Sequence, residues 1–318
     1  MTLEHLDVAK QEVRKNEYMS AEISERALGI KLTLPDFNQV DPLNLKLVAL
    51  DLDGTTLRDD KTFSPRLIAV VKKLQRKGIA FAICSGRAPE SVQRFSDVLG
   101  LNSGHGYCVC FNGGALINLS DIKKDLYSNT INATDLIDIE AQARLHDCVI
   151  HAYSTRRLLL TESNIKFTEM EIASSMQPFE KLHFPDEVNQ DEQAYKLIAV
   201  GDKEKLDEMR QSLPQVFFER FNIARTHPNF LEFMHKDCSK GATLVHLCQI
   251  LGITMEQIVS FGDAENDIEM VEMAGVGVAV ANAMPTLLAK ARYTTYTYID
   301  DGVAIYLEEL FSSLLQAE

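Results

Sequence analysis

No run of 18 apolar residues occurs in this chain, so a membrane-spanning helix is not expected. Positive charge is also scarce. Against 46 Asp and Glu stand 32 Lys and Arg, a net charge of −14, whereas nucleic-acid binding relies on clustered cations that neutralise phosphates. Any anionic substrate would need local positive charge from a metal or a placed lysine. The six cysteines form no Cys-x-x-Cys pair and no zinc spacing, which points to reduced thiols in a reducing compartment. None of the eight histidines is paired at ligand spacing. The first residues are charged throughout and lack the apolar core of a signal peptide, so a cytoplasmic setting is expected. No internal repeat or low-complexity segment stands out, and nothing points to an oligomeric state.

What is present is ordinary globular composition with one unusual stretch. Hydrophobic residues make up 46% and charged residues 25% of 318 positions, a length that suggests about two domains. The stretch is Asp51-Leu-Asp-Gly-Thr-Thr-Leu57, which follows the apolar run Lys46-Leu-Val-Ala-Leu50. That run reads as a strand buried on both faces. Two carboxylates one residue apart pack poorly, yet open α/β sheets place ligand sites at such strand ends. Gly54 lets the chain turn, and Thr55 and Thr56 offer hydroxyls to hold the carboxylates. The spacing suits Asp51 as a nucleophile attacking phosphorus and Asp53 as the general acid and base. A carboxylate approaching a phosphate dianion meets repulsion of roughly 4 kcal/mol per charge pair at 4 Å and effective dielectric 20. A hard cation such as Mg²⁺ is the expected remedy. Two acidic residues capping a helix N-terminus would account for the short motif taken alone.

The rest of the chain repeats the same unit. Residues 1–43 form an extension in which Leu6, Val13, Ile23 and Leu28 would make one or two amphipathic helices. Ser64 and Pro65 open a helix that Gly78 closes, and a second buried strand, Ile79–Cys84, ends in Ser85-Gly86-Arg87. A helix over 89–99 leads to a third strand ending in Asn112-Gly113-Gly114. Between 117 and 225 the apolar runs shorten and alternate, as in an α+β unit with an antiparallel sheet. The first texture returns near Phe230–Met234, followed by Ser239-Lys240-Gly241 and by a strand running into Gly262-Asp-Ala-Glu-Asn-Asp-Ile-Glu-Met270. Met270 and Met273 read as core. The division expected is an extension at 1–43, a discontinuous α/β core at 44–116 and 226–318, and an inserted domain at 117–225.

This set of strand-end turns, in this order, resembles the haloacid dehalogenase superfamily of phosphohydrolases, in its Cof-like branch with a type IIB cap. The resemblance implies a Rossmann-like doubly wound parallel sheet with an inserted α+β cap. It implies a Mg²⁺-dependent phosphatase acting on a small phosphate ester through an aspartyl-phosphate on Asp51, with Asp53 as acid and base. Metal binding would fall to Asp51, Asp53 through its backbone carbonyl, Asp263 and Asp267. Phosphate binding would fall to Leu52, Ser85, Gly86, Lys240 and Asn266. Asn112 and Gly113 would face the substrate, although turn geometry alone would explain Gly113. Arg87 would either contact substrate or form a salt bridge to the cleft wall. A sugar phosphomutase with the same nucleophile and a non-catalytic binding module are the alternatives. Two departures stand out: the long N-terminal extension, and Thr294-Thr-Tyr-Thr-Tyr298, which lacks an asparagine often found before the Asp-Gly-Val-Ala stretch.

Overall fold

The computed structural model describes residues 40–155, 157–162 and 166–316. The amphipathic segments expected before residue 40 lie outside them. The chain divides into two compact units: residues up to Ala80 together with those from Thr254 onward, and Phe81–Ile253.

The first unit is built on four parallel strands in the order Tyr293–Thr295, Val276–Val280, Ile258–Gly262, Leu47–Leu50. All four residues of Leu47–Leu50 and all five of Ile258–Gly262 are buried, which is why these strands read as continuous apolar runs without alternation. The helix Pro65–Arg76 is delimited by the signals in its sequence. Ser64 Oγ accepts the Leu67 N–H at 3.0 Å, proline occupies the first turn, and Gly78 follows Lys77 at φ +85°. Its buried face is Leu67, Val70, Val71 and Leu74, and it packs on the helix Gly302–Leu310. Met270 is buried as expected, whereas Met273, one turn on, is exposed and is not core. The segment lacking the expected asparagine is tied down by Asn282 instead. Its Oδ1 accepts the Tyr298 N–H at 3.2 Å, and its Nδ2 donates to the Gly54 carbonyl at 2.8 Å.

In the second unit Ala80–Cys84 runs parallel to Gly106–Cys110, and Ala115–Asn118 and Asp121–Ser128 follow antiparallel. The boundary expected at 117 therefore falls inside a strand. A second sheet has the order Phe221–His227, Phe230–His235, Gln193–Val200, Val149–Ser154, Leu158–Leu160, Phe179–Lys181. It is antiparallel except for the last pair. Phe230–His235, read from sequence as the return of the core texture, belongs to this sheet through its pairing with Gln193–Val200. Its apolar density reflects burial beneath a helical layer, which a buried antiparallel strand shares with a parallel one. Ile139, Ala143, Phe184, Leu197, Leu206 and Phe233 are among the side chains of that layer's core. Among the described residues, no helix is long and apolar enough to cross a membrane.

Candidate active site

In the first unit the parallel register sets two carboxylates side by side. Leu50 pairs with Phe261, and the Asp51 N–H donates to the Phe261 carbonyl at 3.1 Å. The two chains then leave the sheet together, at the strand end where such sheets bind ligands. Asp51, Asp263 and Asp267 offer carboxylate oxygens that all lie within 4.8 Å of one another. Asp51 and Asp267 are buried. At that separation each charge pair costs on the order of 3 kcal/mol at an effective dielectric of about 20. Local donors offset part of this. Asp267 Oδ2 accepts the N–H groups of Asp263 at 3.0 Å and Ala264 at 3.1 Å, and Thr55 Oγ1 donates to Asp263 Oδ1 at 3.0 Å.

The turn that follows Asp53 admits only glycine. Gly54 sits at φ +82°, and a Cβ there would lie 2.4 Å from Asp263 Oδ2. The Leu52 carbonyl closes the turn by accepting from Thr55, Thr56 and Leu57. Thr56 departs from expectation. Its hydroxyl donates to the Asp51 main-chain carbonyl at 2.6 Å rather than to a carboxylate, so only Thr55 holds an acidic side chain. Asp53 Oδ1 lies 2.8 Å from Lys61 Nζ in a half-exposed pair. Asn266 is exposed on the short turn Glu265–Asp267. A set of three carboxylates with nearby hydroxyl and carbonyl oxygens is hard-oxygen chemistry, which fits Mg²⁺ better than any thiol- or imidazole-seeking ion.

In the second unit the other expected residues gather at the ends of Ala80–Cys84 and Gly106–Cys110. Ser85 is buried, its N–H donates to the Val109 carbonyl at 2.9 Å, and its Oγ accepts the Arg87 N–H at 3.3 Å. Gly86 leaves no room for a side chain without moving Asn112, whose Oδ1 would lie 3.1 Å from an added Cβ. Asn112 is itself buried in the left-handed region at φ 55°, a conformation that asparagine tolerates better than most residues. Gly113, at φ +108°, is explained by close approach: a Cβ would sit 2.3 Å from the Ser239 carbonyl oxygen. The Arg87 guanidinium lies over the Phe95 ring, 5.5 Å from its centroid. Lys240 is fully buried at the first position of the helix Lys240–Leu251, behind Ser239 as N-cap. A buried position at the positive end of a helix is costly for an ammonium unless neighbouring groups compensate it.

Two residues were missed from sequence. Lys196 and Glu232 sit inside apolar strands, both buried, with Lys196 Nζ 3.0 Å from Glu232 Oε1. A charged residue at the centre of each run was the available signal.

Comparison with known proteins decides the family. A profile described as haloacid dehalogenase-like hydrolase matches residues 48–307. The chain belongs to the haloacid dehalogenase-like hydrolase family. Within it, YxeH of Bacillus subtilis, a protein provisionally named a phosphatase, is 31% identical over 83% of this chain and 98% of its own. A second B. subtilis hydrolase, the 5-amino-6-(5-phospho-D-ribitylamino)uracil phosphatase YitU, is 27% identical over 84% of this chain and 97% of its own. Among solved structures, a haloacid dehalogenase-like hydrolase from Bacteroides thetaiotaomicron superposes with TM-score 0.75 at 28% identity, covering 84% of this chain and 100% of that one.

Proposed function

We propose that the protein is a Mg²⁺-dependent phosphatase of small phosphorylated metabolites, working through an aspartyl-phosphate. The observation that carries this reading is the cluster of Asp51, Asp263 and Asp267 at the ends of two adjacent parallel strands. Asp51, Asp263 and Asp267 hold the metal, with the Asp53 main-chain carbonyl completing the protein ligands. Mg²⁺, when bound, supplies the charge neutralisation that lets a carboxylate approach a phosphate dianion. Asp51 attacks phosphorus, and the ester oxygen leaves with a proton from Asp53. Asp53 then takes a proton from the water that attacks the aspartyl-phosphate, returning Asp51 and releasing orthophosphate. Leu52, Ser85, Gly86, Lys240 and Asn266 bind the phosphoryl oxygens. Phosphoryl transfer needs this positioning and charge neutralisation more than covalent machinery.

The leaving group is read elsewhere, because these residues treat all phosphate monoesters alike. We assign that task to the region inserted at 117–225, extended to His235 by the pairing of Phe230–His235 with Gln193–Val200. The core is then 44–116 with the remainder of 226–318. YitU acts, by its name, on the phosphate ester of a ribityl chain, which supports sugar-like or comparably compact esters here. Asn112 and Arg87 are the substrate-facing candidates on the core side. The six buried thiols suit a cytoplasmic enzyme.

The test is release of orthophosphate from p-nitrophenyl phosphate and from a phosphorylated-metabolite panel, with Mg²⁺ and with chelator, beside phosphopeptides. Hydrolysis of small esters that disappears with chelator and returns with Mg²⁺ is expected. A preference for phosphopeptides by specificity constant would refute the assignment of small substrates. Turnover without free phosphate that depends on a bisphosphate activator would indicate a phosphomutase instead.

A further inference from the structure

All three carbonyls of the Ser85-Gly86-Arg87 turn accept hydrogen bonds. The Ser85 carbonyl accepts the Asn112 N–H at 3.0 Å, and the Arg87 carbonyl accepts the Phe111 N–H at 3.2 Å. The middle one, of Gly86, accepts instead from the Lys196 ammonium at 3.1 Å. That ammonium is buried and also lies 3.0 Å from the Glu232 carboxylate and 5.0 Å from the centroid of the Tyr153 ring. Glu232 in turn uses its second oxygen to accept from Asn112 Nδ2 at 3.3 Å. The geometry follows from strand register. Lys196 lies opposite Tyr153, and Ile198 opposite Glu232, so Lys196 and Glu232 are diagonal neighbours on one face of the sheet.

A buried ion pair is a poor device for stability alone, since apolar residues of similar volume are often neutral or better. This pair has a specific effect on the turn. In a trans peptide the C=O and the following N–H point in opposite directions. Holding the Gly86 carbonyl therefore aims the Arg87 N–H, and that N–H donates to Ser85 Oγ at 3.3 Å. With one lone pair engaged, the Ser85 hydroxyl keeps its own proton to donate elsewhere.

We propose that Lys196, held by Glu232, is a positioning residue that fixes the donor direction of the Ser85 hydroxyl through the Gly86–Arg87 peptide. The inference rests on the reading of Ser85 as a phosphoryl-binding residue. Neither Lys196 nor Glu232 touches the reacting atoms in this arrangement.

A double-mutant cycle of Lys196→Met with Ser85→Ala tests it. Because Ser85 contacts the phosphoryl group in ground and transition states alike, Lys196→Met should raise KM about tenfold with little change in kcat, uniformly across esters. In the Ser85→Ala background the same substitution should add almost nothing. An equal effect in both backgrounds, or no effect on KM in the first, overturns the proposal. If Lys196→Met folds poorly, the Lys196→Met/Glu232→Leu variant replaces both charges, and it should regain the melting temperature while KM stays raised. Recovery of KM along with stability would reduce the pair to packing. A wild-type protein that hydrolyses no ester would sink the proposed function and leave the pair to a second measurement. That measurement is hydrogen exchange at the Arg87 amide, which should lose protection in Lys196→Met. Unchanged exchange there counts against the proposal whatever the activity.

Discussion

The two compact units handle charge in opposite ways. The first gathers three carboxylates within 4.8 Å of one another and offsets them with backbone N–H groups and one threonine hydroxyl. The second buries ammonium groups, Lys240 at a helix start and Lys196 inside a sheet. The three carboxylates repel one another, whereas the second unit offsets the desolvation of Lys196 by pairing it with Glu232. On the proposed function, a bound cation would relieve the repulsion that remains among the three carboxylates. The difference also ranks the residues. On the same proposed function, Asp51 and Asp263 would be irreplaceable, whereas Lys240 would lower a barrier that exists without it.

Substitution should expose that ranking first. Asp51→Asn should reduce turnover to background, a loss on the order of 10⁵ to 10⁶, because an amide neither attacks phosphorus nor serves as an anionic ligand. Lys240→Met should cost roughly 10² to 10³ in kcat, the range for removing one preorganised charge-stabilising group. Steady-state kinetics on p-nitrophenyl phosphate, in preparations free of host phosphatase, would check the order. Equal losses in the two variants would erase the distinction drawn between the units.

The acidic cluster should also be visible without any substrate. Mg²⁺ at about 100 times its dissociation constant should stabilise the wild type by about 2.7 kcal/mol relative to chelator, through binding to the folded state alone. Asp263→Asn should remove most of that gain and, in chelator, should be at least as stable as the wild type, since one repulsive charge is gone. Thermal melts of both proteins with and without Mg²⁺ measure it. A Mg²⁺-induced shift of the same size in Asp263→Asn would move the metal away from this cluster.

The acidic half was legible in sequence because its geometry is local. Asp51 and Asp263 each follow a buried strand by one residue, so two short motifs and a parallel register bring them together. The positions of Ser85 and Lys240 were legible for the same reason, one at a strand end and one at a helix start. What escaped depends on pairing across distance. Lys196 and Glu232 are 36 residues apart and meet only through strand register. The assignment of Phe230–Met234 to the core failed on the same ground, because burial on both faces does not record whether a neighbour runs parallel or antiparallel. Thr56 and Gly113 show a finer limit. Residue type fixed a hydroxyl and a positive φ, but the partner, a main-chain carbonyl in each case, is a matter of packing.

The second unit carries one more buried ionisable group, and here the comparison predicts the smallest effect. His151 is fully buried on the strand Val149–Ser154, with Nε2 2.7 Å from Thr168 Oγ1 and Nδ1 without a hydrogen-bond partner. No carboxylate is needed to hold it, since burial keeps it neutral and pushes its pKa down to about 4. The unfolded chain takes up that proton near pH 6.5 while the folded chain does not, so folding stability falls as pH drops below 6.5 and continues to fall until about pH 4. Between pH 6.5 and pH 5 this amounts to about 2 kcal/mol. Urea titrations across that range should show the acid-side loss in the wild type and a flatter profile in His151→Gln, which keeps a polar atom for Thr168. The lysine-bearing unit would then owe its acid sensitivity to a neutral base kept from water, while the carboxylates of the other unit act through metal binding. Parallel stability profiles for the two proteins would show that His151 is not the group that titrates.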